Sequence, residues 1–538
     1  LSTPQTQNTA RKTVRRSLTG LLIVLGVTML SGTIVSVALP QIVGSLQGTQ
    51  SQYTWVVTAT LLASTASTPV WGKLADLFDK KLLLQISIVL FILASLLCGL
   101  AQNTGQLIGF RAIQGLGMGA SQVLVQTIIG ALVSPKERGR LNGLLGSVMA
   151  VATVGGPLIG GALTDISWLG WRWCFFIGIP FMVVALLVLA RTLHLNDVRK
   201  LDTRVDYVGA TLIAAGVSTL LLWVTFVGGS FAWLSWQSAT MVTGGVILLA
   251  LAVWVEGRVA QPVIPLHLVT RRETVIAILA SVAVGMAMFG GAVFLGQYFQ
   301  LARGYSPTAA GLLTTPLMLG TMGASTIAGW MVSRSGRVKP YVLTGLAILT
   351  LGFVALSFID ADTPLLLVSL GMLAVGMGVG MSMQNLVLVV QNSVPLGELG
   401  AASGAITFFR SLGGTIGVSV LGAILANRVA GNITDGLTAS GIELPEGGAD
   451  AGTLDLAGMP PFLRTIVENA YGSATGDLFL VATGIAVVGL TVAFFLPDVR
   501  LRDTIDMPEV TTQGPESQDP ELQAPDPQDK DGNRPLPT

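Results

Sequence analysis

The sequence predicts an all-α polytopic membrane protein of fourteen spans, two bundles of six helices with two further helices inserted between them. Three observations carry this. Of the 538 residues, 51% are hydrophobic and 11% charged, and the mean hydropathy is +0.71, far from a soluble globular average. The apolar residues gather in segments of about 20, the length a helix needs to cross about 30 Å of hydrocarbon. Lys and Arg then fall in every second connection, which sets the orientation of the spans.

In chain order, the spans fall near 18–42, 53–77, 82–101, 106–132, 141–163, 173–193, 206–228, 238–256, 274–301, 307–332, 340–359, 364–391, 400–427 and 476–496. Arg11, Lys12, Arg15 and Arg16 precede the first span, which has no clear small-residue cleavage site and is expected to be its own insertion signal. With the N-terminus inside, the cytoplasmic connections hold Lys73, Lys80 and Lys81; Lys136, Arg138 and Arg140; Arg199, Lys200 and Arg204; Arg258, Arg271 and Arg272; and Arg334, Arg337 and Lys339. The opposite loops near Gly48, Gln102, Gly229 and Asp360 hold none, and Arg172, Arg303, Arg428 and Arg464 are the outer exceptions. An even number of spans puts both termini in the cytoplasm.

The expected organisation is a cytoplasmic segment 1–17, a six-helix bundle 18–193, an inserted pair with linkers 194–273, a second bundle 274–497 and a disordered cytoplasmic tail 498–538. A long external loop at about 430–475, rich in Gly and acidic residues, interrupts the second bundle, and 460–471 reads as a short interfacial helix. The tail is rich in Pro, Gln, Asp and Glu, a composition that does not form a core.

Several chemistries are excluded. The formal net charge of +1 gives no reason to expect nucleic acid. Cys98 and Cys174 lie in apolar surroundings and read as packing residues, and two histidines, His194 and His267, support no zinc pattern. No phosphate-binding Gly-x-x-x-x-Gly-Lys-Ser/Thr loop is present, so uphill transport would draw on an ion gradient. No metal or cofactor is expected, and no nucleophile or acid pair stands at membrane depth, so an enzyme is the weakest reading.

The turn from Trp71 to Lys81 reads Trp-Gly-Lys-Leu-Ala-Asp-Leu-Phe-Asp-Lys-Lys. Gly72 permits close helix approach, and Asp76 can accept hydrogen bonds from the free N–H groups of a neighbouring helix start. The turn resembles the loop between spans two and three of the major facilitator superfamily, Gly-x-Leu-x-Asp-x-x-Gly-Arg-Lys, with Leu77 where Arg is frequent and Asp79 in place of Gly. Gly329-Trp-Met-Val-Ser-Arg-Ser-Gly-Arg-Val-Lys339 is a degenerate copy 257 residues on, and Gly414 follows Gly156 by 258. Two landmarks with nearly one offset indicate duplicated halves.

Other motifs follow. Arg111-Ala-Ile-Gln-Gly-Leu-Gly-Met-Gly places Arg111 and Gln114 on one face of span four, and a charge at that depth is costly unless it meets protein or a cavity. It looks like the superfamily's fourth-span motif, whose arginine is implicated in proton transfer; the plain alternative is a tie between helices. In span five, Gly155, Gly156, Pro157, Gly160 and Gly161 strip and bend one helix face. This is similar to the antiporter motif of drug-exporting branches, against the plain alternative of a packing stripe. Thr33 to Pro40, Trp55, Trp171 to Phe176, Gly304 to Gly311 and Phe409 to Gly414 resemble the fourteen-span drug:proton antiporter subfamily.

The departures are informative. Where that subfamily has Leu-Asp-x-Thr in span one, this chain has Leu30-Ser31-Gly32-Thr33, and no carboxylate stands near the middle of any span. Asp165, at an outer helix end, becomes the first candidate for proton coupling, with Arg111 as its modulator, since an arginine stays charged and carries no proton itself. The resemblance implies a latch of Gly72, Asp76, Lys80 and Lys81, with Arg138 or Arg140 as possible partners, and a monomer. Ser31, Thr33, Gln114, Gln122, Gln126, Gln297, Gln384, Asn385 and Arg410 are the polar anchors available to an otherwise apolar substrate cavity, and Met286, Met288, Phe289, Phe294 and Phe299 are candidates for its wall. The reading is an exporter of amphiphilic small molecules in the cytoplasmic membrane, in exchange for protons; the competing reading is export of one endogenous metabolite or lipid with atypical or no proton coupling.

Overall fold

The computed structural model describes residues 4–47, 50–165, 170–195, 206–228, 231–259, 262–263, 270–305, 307–440, 461–498 and 500–502. Fourteen long helices run through them: α1 (Pro4–Ser45), α2 (Gln50–Leu77), α3 (Lys80–Gly99), α4 (Thr104–Leu132), α5 (Pro135–Asp165), α6 (Trp173–Thr192), α7 (Tyr207–Phe226) and α8 (Trp236–Glu256). The second set is α9 (Arg272–Gln297, continued as a π-helical turn to Ala302), α10 (Thr315–Ser335, entered through the short helix Pro307–Leu313), α11 (Lys339–Leu356), α12 (Leu365–Asn392), α13 (Leu399–Ala439) and α14 (Pro461–Phe494).

Local chemistry sets the helix starts. Asp79 caps α3, its Oδ1 accepting from Lys81 N at 2.7 Å and Leu82 N at 3.1 Å. Asn103 caps α4 through Gln106 N, Asp206 caps α7 through Gly209 N, and Ser235 caps α8 through Ser238 N. Gly336, at φ +65°, ends α10 in the left-handed region that glycine enters without strain.

Eleven of the described helices are long and apolar enough to cross a membrane. The other three of the fourteen, α2, α5 and α10, are rich in Thr, Ser and Gly, and Thr58, Thr60, Thr65 and Thr68 of α2 are buried. In α2, polar groups wrapped by protein need no lipid-facing hydrocarbon, which accounts for its weaker apolar signal. The count of fourteen spans rests on these three crossing as well.

One packing pattern occurs twice. α1 packs on α5 and α6, α2 on α4, and α3 on α4 and α6; α9 packs on α13 and α14, α10 on α12, and α11 on α12 and α14. The two sets meet along α2 with α13 and α5 with α10, pairs that exchange under the same correspondence. α7 and α8 pack together and α7 packs against α2 and α13, with Ala210, Ile213, Val217 and Leu221 of α7 and Ala252 of α8 in one buried cluster with Ala66 and Phe408.

The structure corrects the external loop. α13 continues to Ala439 and α14 begins at Pro461, so both flanks of the expected 430–475 loop are helical and 460–471 is no separate interfacial helix. Val429, Ile433 and Leu437, spaced four apart, are buried on one stripe of α13, and Val467, Ala470 and Ala474 are buried on α14. Asn432 Nδ2 donates to Ser473 Oγ at 3.0 Å, and Arg428 pairs with Asp477 at 3.5 Å. Residues 441–460 lie outside the described part. The expected tail also begins too early at 498: Leu501 N donates to Gly336 O at 2.8 Å and Arg502 Nη2 to Val394 O at 3.0 Å, fixing this strap across the ends of α10 and α12. Residues 503–538, where the rest of the tail falls, are not described.

Candidate functional site

The halves touch through glycines. A Cβ on Gly72 of α2 would stand 2.5 Å from Gly400 O and 3.2 Å from Gly404 Cα on α13. On the paired seam, a Cβ on Gly329 of α10 would meet Gly139 O and would stand 2.9 Å from Gly143 N on α5. Each seam therefore seats one glycine on a Gly-x-x-x-Gly pair, and the turn motif and its degenerate copy supply the two seated residues. Such clashes would be with backbone, which cannot step aside as a flexible side chain can.

Asp76, one turn beyond Gly72, is half-buried and bridges the seam. Its Oδ1 accepts from Gly400 N and its Oδ2 from Ala401 N, both at 2.7 Å. A carboxylate on the first free amides of α13 gains from the helix dipole as well as from two hydrogen bonds. The expected arginine partners are not the ones that hold it. Arg138 turns back on its own connection, donating to Gly130 O and, at 2.9 Å, to Val133 O, while Arg140 is exposed. The physical reason is that free helix-start amides already satisfy the carboxylate. Lys81 Nζ donates to Ala190 O at 2.8 Å and ties α3 to α6.

Above the seam lies a ladder of polar side chains that the sequence reading only partly found. Gln391 Nε2 of α12 donates to Ser403 Oγ of α13 at 2.9 Å and to Gln126 O of α4 at 3.4 Å. Arg138 Nη1 reaches Gln391 Oε1 at 3.5 Å, and Thr407 Oγ1 of α13 donates to Gln126 Oε1 at 3.5 Å. Gln384 Nε2 of α12 contacts Met149 Sδ of α5 at 3.3 Å. Gln391, Ser403 and Thr407 were missed; their signal was a polar residue at helical spacing in otherwise apolar α12 and α13.

A second network lies inside the first half. Arg111 Nη1 donates to Gln114 Oε1 at 2.8 Å and Nε to Val56 O at 3.4 Å; Gln114 Nε2 donates to Ser95 Oγ at 2.8 Å and to Ser31 Oγ at 3.5 Å. Arg111, Gln114, Ser95 and Ser31 are all buried. The serine that replaces the expected span-one acid is thus joined to the arginine through Gln114.

The span-five glycines pack α5 on α1. A Cβ on Gly156 would stand 2.5 Å from Thr33 Cβ and one on Gly160 2.7 Å from Ile34 O, whereas Gly155 has only a distant neighbour at 3.8 Å. Thr33 Oγ1 donates to Ala152 O at 3.0 Å, so Thr33 serves this seam. Pro157, Gly161 and Asp165 belong to α5, with Asp165 its last residue, but their side-chain surroundings fall outside the described part.

The remaining anchors separate. Gln384, Asn385 and Arg410 are buried, Gln122 is half-buried and Gln297, the last residue of α9, is exposed. Of the candidate wall, Phe294 and Phe299 are buried and Phe289 is 37% exposed. The ladder is a polar layer between two helical sets, closed at one end by two glycine seams, an arrangement suited to passing a molecule.

Comparison with known proteins agrees with this geometry. The profile of the Major Facilitator Superfamily matches residues 21–418. The multidrug transporter protein MdtP of Bacillus subtilis (strain 168) is 36% identical, over 78% of this chain and 77% of its own length. The efflux pump dotC of Dothistroma septosporum is 31% identical over 92% and 85%. Among solved structures, the proton:xylose symporter XylE bound to 6-bromo-6-deoxy-D-glucose superposes with a TM-score of 0.57 at 16% identity, covering 91% of this chain and 96% of that one, a likeness of fold.

Proposed function

This chain belongs to the Major Facilitator Superfamily, a family of membrane transporters and not of enzymes, and from that premise we propose that it exports amphiphilic drugs or toxic compounds across the cytoplasmic membrane in exchange for protons. The observation that carries the reading is the pair of equivalent seams, Gly72 on Gly400 and Gly329 on Gly139, at which the two helical sets meet. Two rigid six-helix bundles joined by equivalent seams at one end rock about a central site, which is alternating access. The names of MdtP and dotC support export as the direction and a small molecule as the cargo.

The basic end, with Asp76, Lys81 and Arg138, faces the cytoplasm in this reading, both termini are cytoplasmic, and the protein works as a monomer. The form described here is closed on that side. In this reading the domains are those of the sequence, with the two changes at 430–475 and 498. Asp165 is the coupling acid and Arg111 modulates the first half without carrying the proton. The second reading, a dedicated exporter without ordinary proton coupling, is favoured by one observation: Ser31, in place of the acid, is bound into the Arg111 network.

Reconstitution in proteoliposomes tests the proposal. An imposed pH gradient is expected to drive a fluorescent lipophilic amphiphile against its concentration gradient, and Asp165→Asn to abolish this. A probe that moves equally without the gradient favours the second reading, and no movement of any probe refutes export.

A further inference from the structure

The sequence presents two intramembrane arginines alike, and the structure separates them. Arg111 is satisfied by Gln114 and the Val56 carbonyl. Arg410 is 2% exposed and ranks first among the largest fully buried side chains, yet neither Nη1 nor Nη2 has a hydrogen-bond partner among the described residues. The ion pairs seen there, Arg337 with Asp498, Arg428 with Asp477 and Arg464 with Glu468, join partly or largely exposed side chains, and none includes Arg410. A buried guanidinium with two empty donor groups is not a structural tie, because a tie has acceptors.

Its surroundings point the same way. Arg410 lies on α13 where that helix crosses α9: a Cβ on Gly285 would stand 3.2 Å from Arg410 Cγ. Three residues earlier on the same helix face, Thr407 donates to Gln126 Oε1, and Gln126 Nε2 is likewise buried and without a partner. The unpartnered groups of Arg410 and Gln126 are all N–H donors. One turn outward along the same crossing, Phe289 and Met286 of α9 pack against Gly414 and Gly417, an apolar wall next to the donors.

Resting on the exporter reading above, we propose that Arg410 is the anion-recognition point of the transport path and that the exported compounds include amphiphiles bearing a carboxylate. The two Nη groups match the two carboxylate oxygens in the fork geometry that lysine lacks, Gln126 Nε2 adds a donor, and the apolar part lies toward Phe289 and Met286.

Binding to the purified full chain reads this apart from transport. The probes are pyrenebutyrate and its neutral counterpart pyrenebutanol, with fluorescence titration of wild type, Arg410→Gln and Arg410→Lys. Wild type is expected to prefer the carboxylate, Arg410→Gln to weaken its binding about 10- to 100-fold with the alcohol unchanged, and Arg410→Lys to fall between. Arg410→Gln should unfold no earlier than wild type, since it removes an unpaired buried charge; if it does not fold, Arg410→Lys carries the comparison. Equal binding of the two probes by wild type, or an equal loss of both in the variants, overturns the proposal. So does stabilisation of wild type by chloride over gluconate, lost in the variants, without carboxylate preference, because the site then holds a resident inorganic anion. A wild type that exports a lipophilic cation but shows no Arg410-dependent preference keeps the exporter reading and refutes this one. Arg410-dependent carboxylate binding without transport of any probe does the reverse.

Discussion

Gly72 of α2 meets Gly400 of α13 so closely that a Cβ on Gly72 would stand 2.5 Å from the Gly400 carbonyl oxygen. Two helices from different halves of the chain are in backbone contact there, and the carboxylate of Asp76 is carried onto the amides of Gly400 and Ala401 by the same approach. The packing and the charge act at one place.

Gly72→Val is expected to force the seam apart and lower efflux at least about 10-fold while the protein still inserts, since overpacking a tight contact costs about 1–3 kcal/mol. Gly323→Ala on α10 has nothing within 4 Å and is the control. Efflux per molecule of membrane-inserted protein measures both; a fully active Gly72→Val would remove the seam from the mechanism.

Asp76→Asn keeps an acceptor for one amide and loses the charge at the α13 start, a change of about 0.3–1 kcal/mol. A decrease of a few fold in transport is expected. Asp76→Ala frees both amides and should cost more, about 1–3 kcal/mol. Ser333, the residue at the equivalent place on α10, makes no comparable bridge among the described residues, and Ser333→Ala should leave transport near wild type. Rates in vesicles rank the three; an order with Ser333→Ala as the most damaged contradicts the assignment.

Gln114→Leu removes the acceptor of Arg111 Nη1 and is expected to destabilise the first half by about 1.5–3 kcal/mol, the range for hydrogen bonds to charged groups. Ser31→Ala breaks only the 3.5 Å contact and should cost far less. Thermal unfolding in detergent distinguishes them.

Much of this was legible in the sequence. The turn from Gly72 to Lys81 announced both a close approach and a carboxylate near a helix start, and the spacing of Arg111 and Gln114 placed them on one face. The partner of Asp76 was not legible, because backbone amides carry no side-chain signature and lie 324 and 325 residues away. Gln391, Ser403 and Thr407 were passed over for a similar reason: a single polar residue in an apolar helix looks the same whether it faces a pore, a neighbour or its own carbonyl. The extension of α13 past 430 was hidden by composition, since its Gly and acidic residues suggested a loop while Val429, Ile433 and Leu437 held the helical stripe. The difference between Arg111 and Arg410 needed three dimensions, because partners decide it.

The central claim is that the α2–α13 seam opens and closes during transport. Spin labels at Phe78, just past α2, and at Gly397, just before α13, are both on exposed positions, and pulsed electron–electron distances between them in proteoliposomes test the claim most directly. The account predicts a short distance in the form described here, a second, longer one whose share changes with pH and with a transported amphiphile, and a shift of Gly72→Val toward the long distance. A single short distance, unchanged by substrate or pH in protein that transports, would contradict it.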